Sequence, residues 1–144
     1  MAKHFILWAD DDPDDMTMFR RIVDEVQQHS LVLGANDGRD VLACLQLMRK
    51  EKTFPCLVIL DLNMPALGGR ETIGLMRREE DFAQIPIAVF TTAERQVDRN
   101  FCDRFNIPIF VKPASVAELT ATIRQMLRTC NCHRAQERGA TVPE

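Results

Sequence analysis

No run of apolar residues in this chain approaches the roughly 20 that a membrane-crossing helix requires, which excludes a helical span. There is no basic excess either: 18 lysines and arginines stand against 21 aspartates and glutamates, for a net charge of -3. That balance excludes sequence-independent nucleic-acid binding, which rests on a cationic surface. The opening Met1-Ala2-Lys3-His4 leads straight into an apolar run, without the h-region and cleavage site of a secretory leader, so the chain is expected in the cytoplasm. Repeats, low-complexity tracts and interior linkers are also missing, and 144 residues suffice for one domain around one core. An odd total of five cysteines fits a reduced compartment better than a disulfide framework. Cys44 and Cys56 read as small buried hydrophobes, and Cys102 falls on a helical stretch. Cys130, Cys132 and His133 offer three ligands where structural zinc takes four, so a polar tail with spare thiols is the expectation there.

What the chain does have is five short apolar runs, four of which end on a group suited to phosphate chemistry. Phe5-Ile6-Leu7-Trp8-Ala9 ends on Asp10-Asp11-Asp12, and Cys56-Leu57-Val58-Ile59-Leu60 ends on Asp61. Ile87-Ala88-Val89-Phe90 ends on Thr91, and Ile109-Phe110-Val111 ends on Lys112-Pro113. Only Leu31-Val32-Leu33-Gly34-Ala35 lacks such a terminus. Short, wholly apolar runs suit strands buried on both faces of a parallel sheet. Pro65, soon after Asp61, cannot extend a ladder, so Asp61 is placed at the carboxyl end of a strand, where open α/β sheets bind ligands. Taken singly, each terminal residue has a plainer reading: Asp61 caps a loop, Thr91 is a strand-end hydroxyl, Lys112 is a solvated lysine. Their joint order favours chemistry.

Helical patterns separate the runs. Pro13 opens the first, with Asp14 and Asp15 suited to the positive end of the helix dipole and Phe19, Ile22, Val23 and Val26 on one face. Val41, Leu42, Leu45 and Met48 make a second stripe, and Ile73 and Met76 a third after Gly68-Gly69. Val97, Phe101 and Phe105 make a narrower fourth. Ser115-Val116-Ala117-Glu118 is a capping box leading into Leu119, Ile123, Met126 and Leu127. Alternating strands and helices call for a parallel sheet covered on both faces. Asp10, Asp11, Asp61, Thr91 and Lys112 converge only in the flavodoxin-like (βα)5 order 2-1-3-4-5. The domain is read as residues 4–129, with 130–144 a polar, flexible tail.

Three carboxylates in one crevice repel unless a cation joins them, and oxygen-only ligands favour magnesium. Asp10, Asp11 and Asp61, with the backbone carbonyl of Asn63, are the candidate ligands. Asp61 would attack phosphorus to give an aspartyl phosphate, while Lys112 and Thr91 meet the remaining phosphoryl oxygens.

At these residues the chain resembles the receiver domain of two-component response regulators, over about residues 4 to 129. The resemblance is carried by Ala9-Asp10-Asp11-Asp12-Pro13, Leu60-Asp61-Leu62-Asn63-Met64-Pro65, Phe90-Thr91-Thr92 and Val111-Lys112-Pro113. It implies Asp61 as phosphoacceptor, Asp10 and Asp11 as the acidic pair with Asp11 the direct magnesium ligand, Thr91 as switch hydroxyl and Lys112 as the phosphoryl contact. Asp12, one place beyond the pair, is expected to cap a helix. A sensor histidine kinase or a histidine phosphotransfer protein is implied as donor, and a downstream protein as target. Gly68-Gly69-Arg70-Glu71 and Thr91-Thr92 resemble small stand-alone regulators, including those paired with bacterial phytochromes. Residues 130–144 are too few for an output domain, so output by protein contact or phosphorelay is expected.

Two departures stand out. Ile109 occupies the position where the family usually has an aromatic switch residue, and Phe105-Asn106-Ile107-Pro108 replaces the usual Gly-Ala before it. Phe110 does not substitute, because the strand period of two turns it to the opposite face. Receiver relatives often pair through the last strand and its flanking helices. Asp98, Arg99, Asp103 and Arg104 would then form cross-dimer ion pairs, against the alternative of a solvated face. Two other readings are weighed. A small aspartate-nucleophile phosphohydrolase would want a second acid where Asn63 stands. A degenerate receiver acting only in docking would not need the complete site.

Overall fold

The computed structural model describes residues 4–27 and 29–130. Five strands alternate with five helices: β1 (His4–Ala9), α1 (Pro13–Val26), β2 (Ser30–Ala35), α2 (Gly38–Lys50), β3 (Leu57–Leu60), α3 (Gly69–Arg78), β4 (Ile87–Thr91), α4 (Gln96–Arg104), β5 (Ile109–Val111) and α5 (Val116–Leu127). All four strand pairings are parallel and the order is 2-1-3-4-5, the flavodoxin-like arrangement. Parallel pairing sends every strand toward the same edge, so the groups that follow their carboxyl ends gather there.

The strand period of two divides the apolar side chains between two cores. Ile6, Trp8, Ile59 and Phe90 face α1 and α5, where Phe19, Ile123 and Met126 meet them. Trp8 stacks on Phe19 at 4.6 Å between ring centroids, and Phe90 meets both rings edge-on at 5.9 and 5.6 Å. Leu7, Val58, Leu60 and Val89 face the other way, onto Val41, Leu45, Ile73 and Met76. Phe110 packs in the first cluster and Ile109 in the second, the opposition expected from their adjacent places on one strand. Asp12 caps α1, its carboxylate accepting from the Asp14 and Asp15 N–H groups. Ser115 caps α5 through the Glu118 N–H and donates its hydroxyl to the Glu118 carboxylate.

Two expectations change. Val97 is 55% exposed, and α4 instead buries Asp98 and Cys102, while Phe101 and Phe105 are half-buried. The helix is turned by one residue from the apolar stripe because its inward position is filled by an ion-paired carboxylate. Cys56 and Cys130, expected as a packed hydrophobe and a spare thiol, are joined in a disulfide, with Cα atoms 5.2 Å apart. That separation is within the span a disulfide can bridge, and both residues lie in the α1–α5 core. Cys132 and His133 lie outside the described residues.

Candidate functional site

Main-chain bonds extend the sheet one residue beyond its strands and so fix two of the candidate side chains. The Asp10 N–H donates to the Ala35 carbonyl at 2.9 Å, and the Lys112 N–H donates to the Thr91 carbonyl at 2.7 Å. The Lys112 ammonium then crosses the sheet edge. Its Nζ lies 2.8 Å from Asp10 Oδ2 and 3.6 Å from Asp61 Oδ2. Asp10 is 4% exposed, and its other oxygen accepts the Asp12 N–H at 2.9 Å. Asp61 Oδ1 accepts the Asn63 N–H at 3.0 Å, which leaves Oδ2 with only the long contact to Lys112. A carboxylate held on one oxygen and lightly engaged on the other is poised to act as a nucleophile.

Burial alone would push the Lys112 ammonium down. The hydrogen bond it donates to Asp10 and the charges of Asp10, Asp61 and Asp15 outweigh it and hold its pKa above the ordinary lysine value. Lys112 is therefore cationic at any physiological pH. Asp15 is a group that sequence reasoning missed. Burial, with the nearby Asp12 and Asp10 charges, raises its pKa against the lowering pull of Lys112. It shares a small cleft with Lys112, Met18 and Phe19.

The remaining candidates are placed as follows. Thr91 is buried, and its hydroxyl donates only a long 3.3 Å bond to the Ala93 carbonyl. Asp11 is exposed at the same edge, after β1. Asn63 follows Asp61 on a loop that runs through Ala66, whose φ of 60° is a left-handed conformation costing an L-residue about 1 kcal/mol. That loop closes on α3: the Gly69 N–H donates to the Leu62 carbonyl at 3.3 Å. A Cβ at Gly69 would come within 2.8 Å of Leu62 Cα, and nearer still to the Asp61 carbonyl. Only glycine lets the helix start this close to Asp61.

Among the described residues no three acidic, histidine or cysteine side chains come close enough together to hold a metal ion unaided. Magnesium does not demand it, since it commonly takes one or two carboxylates and fills its octahedron with water and phosphate oxygens. The oxygen-only set at this edge, with Asp61 Oδ2 lightly engaged, fits such a cation.

A second cluster links α3 to α4, the two helices that follow the Asp61 and Thr91 loops. Asp98, 1% exposed, takes the Arg70 guanidinium on one oxygen and the Arg95 side chain and N–H on the other. Asp98 is thus neither a solvated charge nor a cross-dimer partner, and Arg99 is paired within the chain to Glu94 at 2.7 Å. Burial would raise the Asp98 pKa, but the arginine bonds and charges hold it below the usual 3.8. Its stabilisation is therefore present above 3.8 and lost as pH falls through the lower folded value. Asp98→Asn is expected to lose about 2 kcal/mol at neutral pH and to lack that part of the acid limb. Urea midpoints measured between pH 7 and 3 check it, and parallel curves for the two proteins would count against the assignment.

Residues 6–124 match the family model described as response regulator receiver domain. PilH of Pseudomonas aeruginosa is 30% identical over 123 residues, which cover 85% of this chain and 96% of PilH. Response regulator Rcp1 of a Synechocystis species is 32% identical over 92 residues, 59% of this chain and 62% of Rcp1. The Mn2+-bound structure of Rcp1 superposes with a TM-score of 0.76, over 87% of this chain and 92% of that one, at 23% identity. The phosphorylated cyanobacterial phytochrome response regulator RcpA superposes with a TM-score of 0.79, over 88% and 93%, at 21% identity. At such identities the structural matches speak to the fold alone.

Proposed function

This chain belongs to the response regulator receiver domain family of two-component signalling, and we propose that residues 4–129 work as a magnesium-dependent phosphoacceptor switch with Asp61 as its nucleophile. The observation that carries this reading is the Lys112 ammonium spanning Asp10 and Asp61 at the carboxyl edge of the sheet. Asp61 Oδ2 attacks the phosphorus of a phosphohistidine donor; the P–N bond breaks as the acyl phosphate forms, and the imidazole leaves with the electron pair. Lys112 supplies fixed positive charge to a phosphoryl oxygen, an interaction that strengthens as charge accumulates there. The Thr91 hydroxyl, weakly held by Ala93, is free to turn to another phosphoryl oxygen. Bound magnesium would neutralise the acidic edge and polarise the phosphoryl group. Asp10, Asp11, Asp61 and the Asn63 carbonyl are the groups that would hold it. The donor is a sensor histidine kinase or a histidine phosphotransfer protein, and the output is a protein contact or phosphorelay in the cytoplasm. No helix among the described residues is long and apolar enough to cross a membrane.

Beryllofluoride with magnesium tests the reading, because it mimics a phosphoryl group on a carboxylate. Trp8, buried two residues before Asp10, reports the edge through its fluorescence. A saturable change that needs both ions is the expected result; its absence rejects the phosphoacceptor assignment. In the same titration Asp11→Asn should weaken magnesium by at least about tenfold, since an amide cannot replace the charge of a direct ligand. Asp12→Asn should leave the affinity unchanged, because Asp12 spends its carboxylate on the α1 cap. Equal affinity in Asp11→Asn and wild type would refute the ligand assignment.

A further inference from the structure

Between α3 and α4 lies a groove of about 520 Å³. Leu75, Phe101 and Phe105 line it, and Arg70, Arg78 and Arg104 stand around it with Glu71. The apolar wall is solvent-facing, with Leu75 40% exposed and both phenylalanines half-buried. Such a patch rimmed by charge is the usual make-up of a protein-binding surface. The charge is one-sided. In a chain with net charge -3 the groove gathers three arginines and one glutamate. Arg70 is spent on Asp98, whereas among the described residues Arg78 and Arg104 pair with no carboxylate. Arg104 lies over the Phe101 ring, 5.5 Å from its centroid, so its guanidinium is already placed beside the apolar wall.

Location adds a second point. The walls are the helices that follow the Asp61 and Thr91 loops, and Arg70–Asp98 ties one wall to the other. Leu67, on the loop after Asp61, lies at the same groove. Any displacement of the two loops therefore changes the groove's width and the reach of Arg70.

From this we propose that the α3–α4 groove is a docking site for an acidic amphipathic helix of a protein partner. Its apolar face would seat on Leu75, Phe101 and Phe105, and its carboxylates on Arg78 and Arg104. A helix fits a trough between two helices by placing anchors at i, i+3 or i+4, and i+7, while the flanking charges select the partner. Phosphorylation of Asp61, by moving the two loops, would alter this docking; that coupling rests on the phosphoacceptor reading, and the docking itself does not.

The test uses the 15N-labelled full chain and two helical peptides of about 18 residues that share one leucine face, with glutamate flanks in one and lysine flanks in the other. The expected result is amide shifts centred on Leu75, Phe101 and Phe105 with the glutamate peptide, and at least about tenfold weaker binding of the lysine peptide. The double variant Arg78→Glu, Arg104→Glu should reverse that preference. Shifts centred elsewhere, equal binding of the two peptides, or occupation of the groove by a second copy of the chain, seen as concentration-dependent shifts without peptide, would each overturn the proposal. Repeating the titration with magnesium and beryllofluoride separates the two claims. Failure of beryllofluoride to bind rejects the phosphoacceptor reading and leaves docking standing, whereas equal peptide affinity with and without bound beryllofluoride rejects the coupling to Asp61.

Discussion

Asp61→Asn is expected to abolish phosphoryl incorporation completely. With acetyl phosphate and magnesium the wild type should gain one phosphoryl group, seen by intact mass, and the variant none. The substitution keeps shape and one acceptor oxygen, so the Asn63 N–H that now meets Asp61 Oδ1 keeps a partner and the loop keeps its course. What is lost is the negative charge and the nucleophilic lone pair, since an amide oxygen is a poor nucleophile toward phosphorus. Neighbouring carboxylates do not take over. Asp10 is held by Lys112 and by the Asp12 N–H, and Asp12 is held by the cap of α1. Labelling of the variant to the wild-type extent would show that the acceptor is another residue.

Reducing the Cys56–Cys130 bond is expected to lower stability by about 2–4 kcal/mol. The bond closes a segment of 74 residues, and constraining so long a loop removes much of the unfolded chain's freedom. Urea midpoints of the oxidised and reduced protein measure the difference, with Cys130→Ser expected to match the reduced form and to ignore reductant. A non-reducing digest should yield one cross-linked pair joining Cys56 to Cys130. The buried Cys102 thiol, pushed up to about 11 by burial and by the Asp98 and Asp103 charges, should resist alkylation in the native state. Identical midpoints with and without reductant would mean that the bond does not stabilise the fold.

The sheet was legible because two local signals agreed: apolar runs of strand length and helical stripes between them. The site was legible for a related reason. Parallel strands deliver whatever follows them to one edge, so Asp10, Asp61, Thr91 and Lys112 could be brought together before any contact was known. Legibility failed where burial is decided by a partner distant in sequence. Asp98 reads as a surface charge until Arg70, on another helix, is found beside it. Val97 looked like the inward residue only because the true inward position carries a charge. The Cys56–Cys130 pair is invisible for the same reason: nothing local to either cysteine says that the end of α5 returns to the start of β3. Asp15, taken for a helix-end charge, also lines a cleft with Lys112, because α1 begins directly after the acidic edge.

The bond between Lys112 and Asp10 spans 102 residues, nearly the reach of the whole domain. During synthesis, therefore, the acidic edge and the Asp61 loop emerge before the cation that balances them. A ribosome-bound chain that ends before β5 holds Asp10 and Asp61 but not the Lys112 that contacts both. The carboxyl edge is completed last, because the one ammonium that touches both Asp10 and Asp61 arrives with the residue after the final strand.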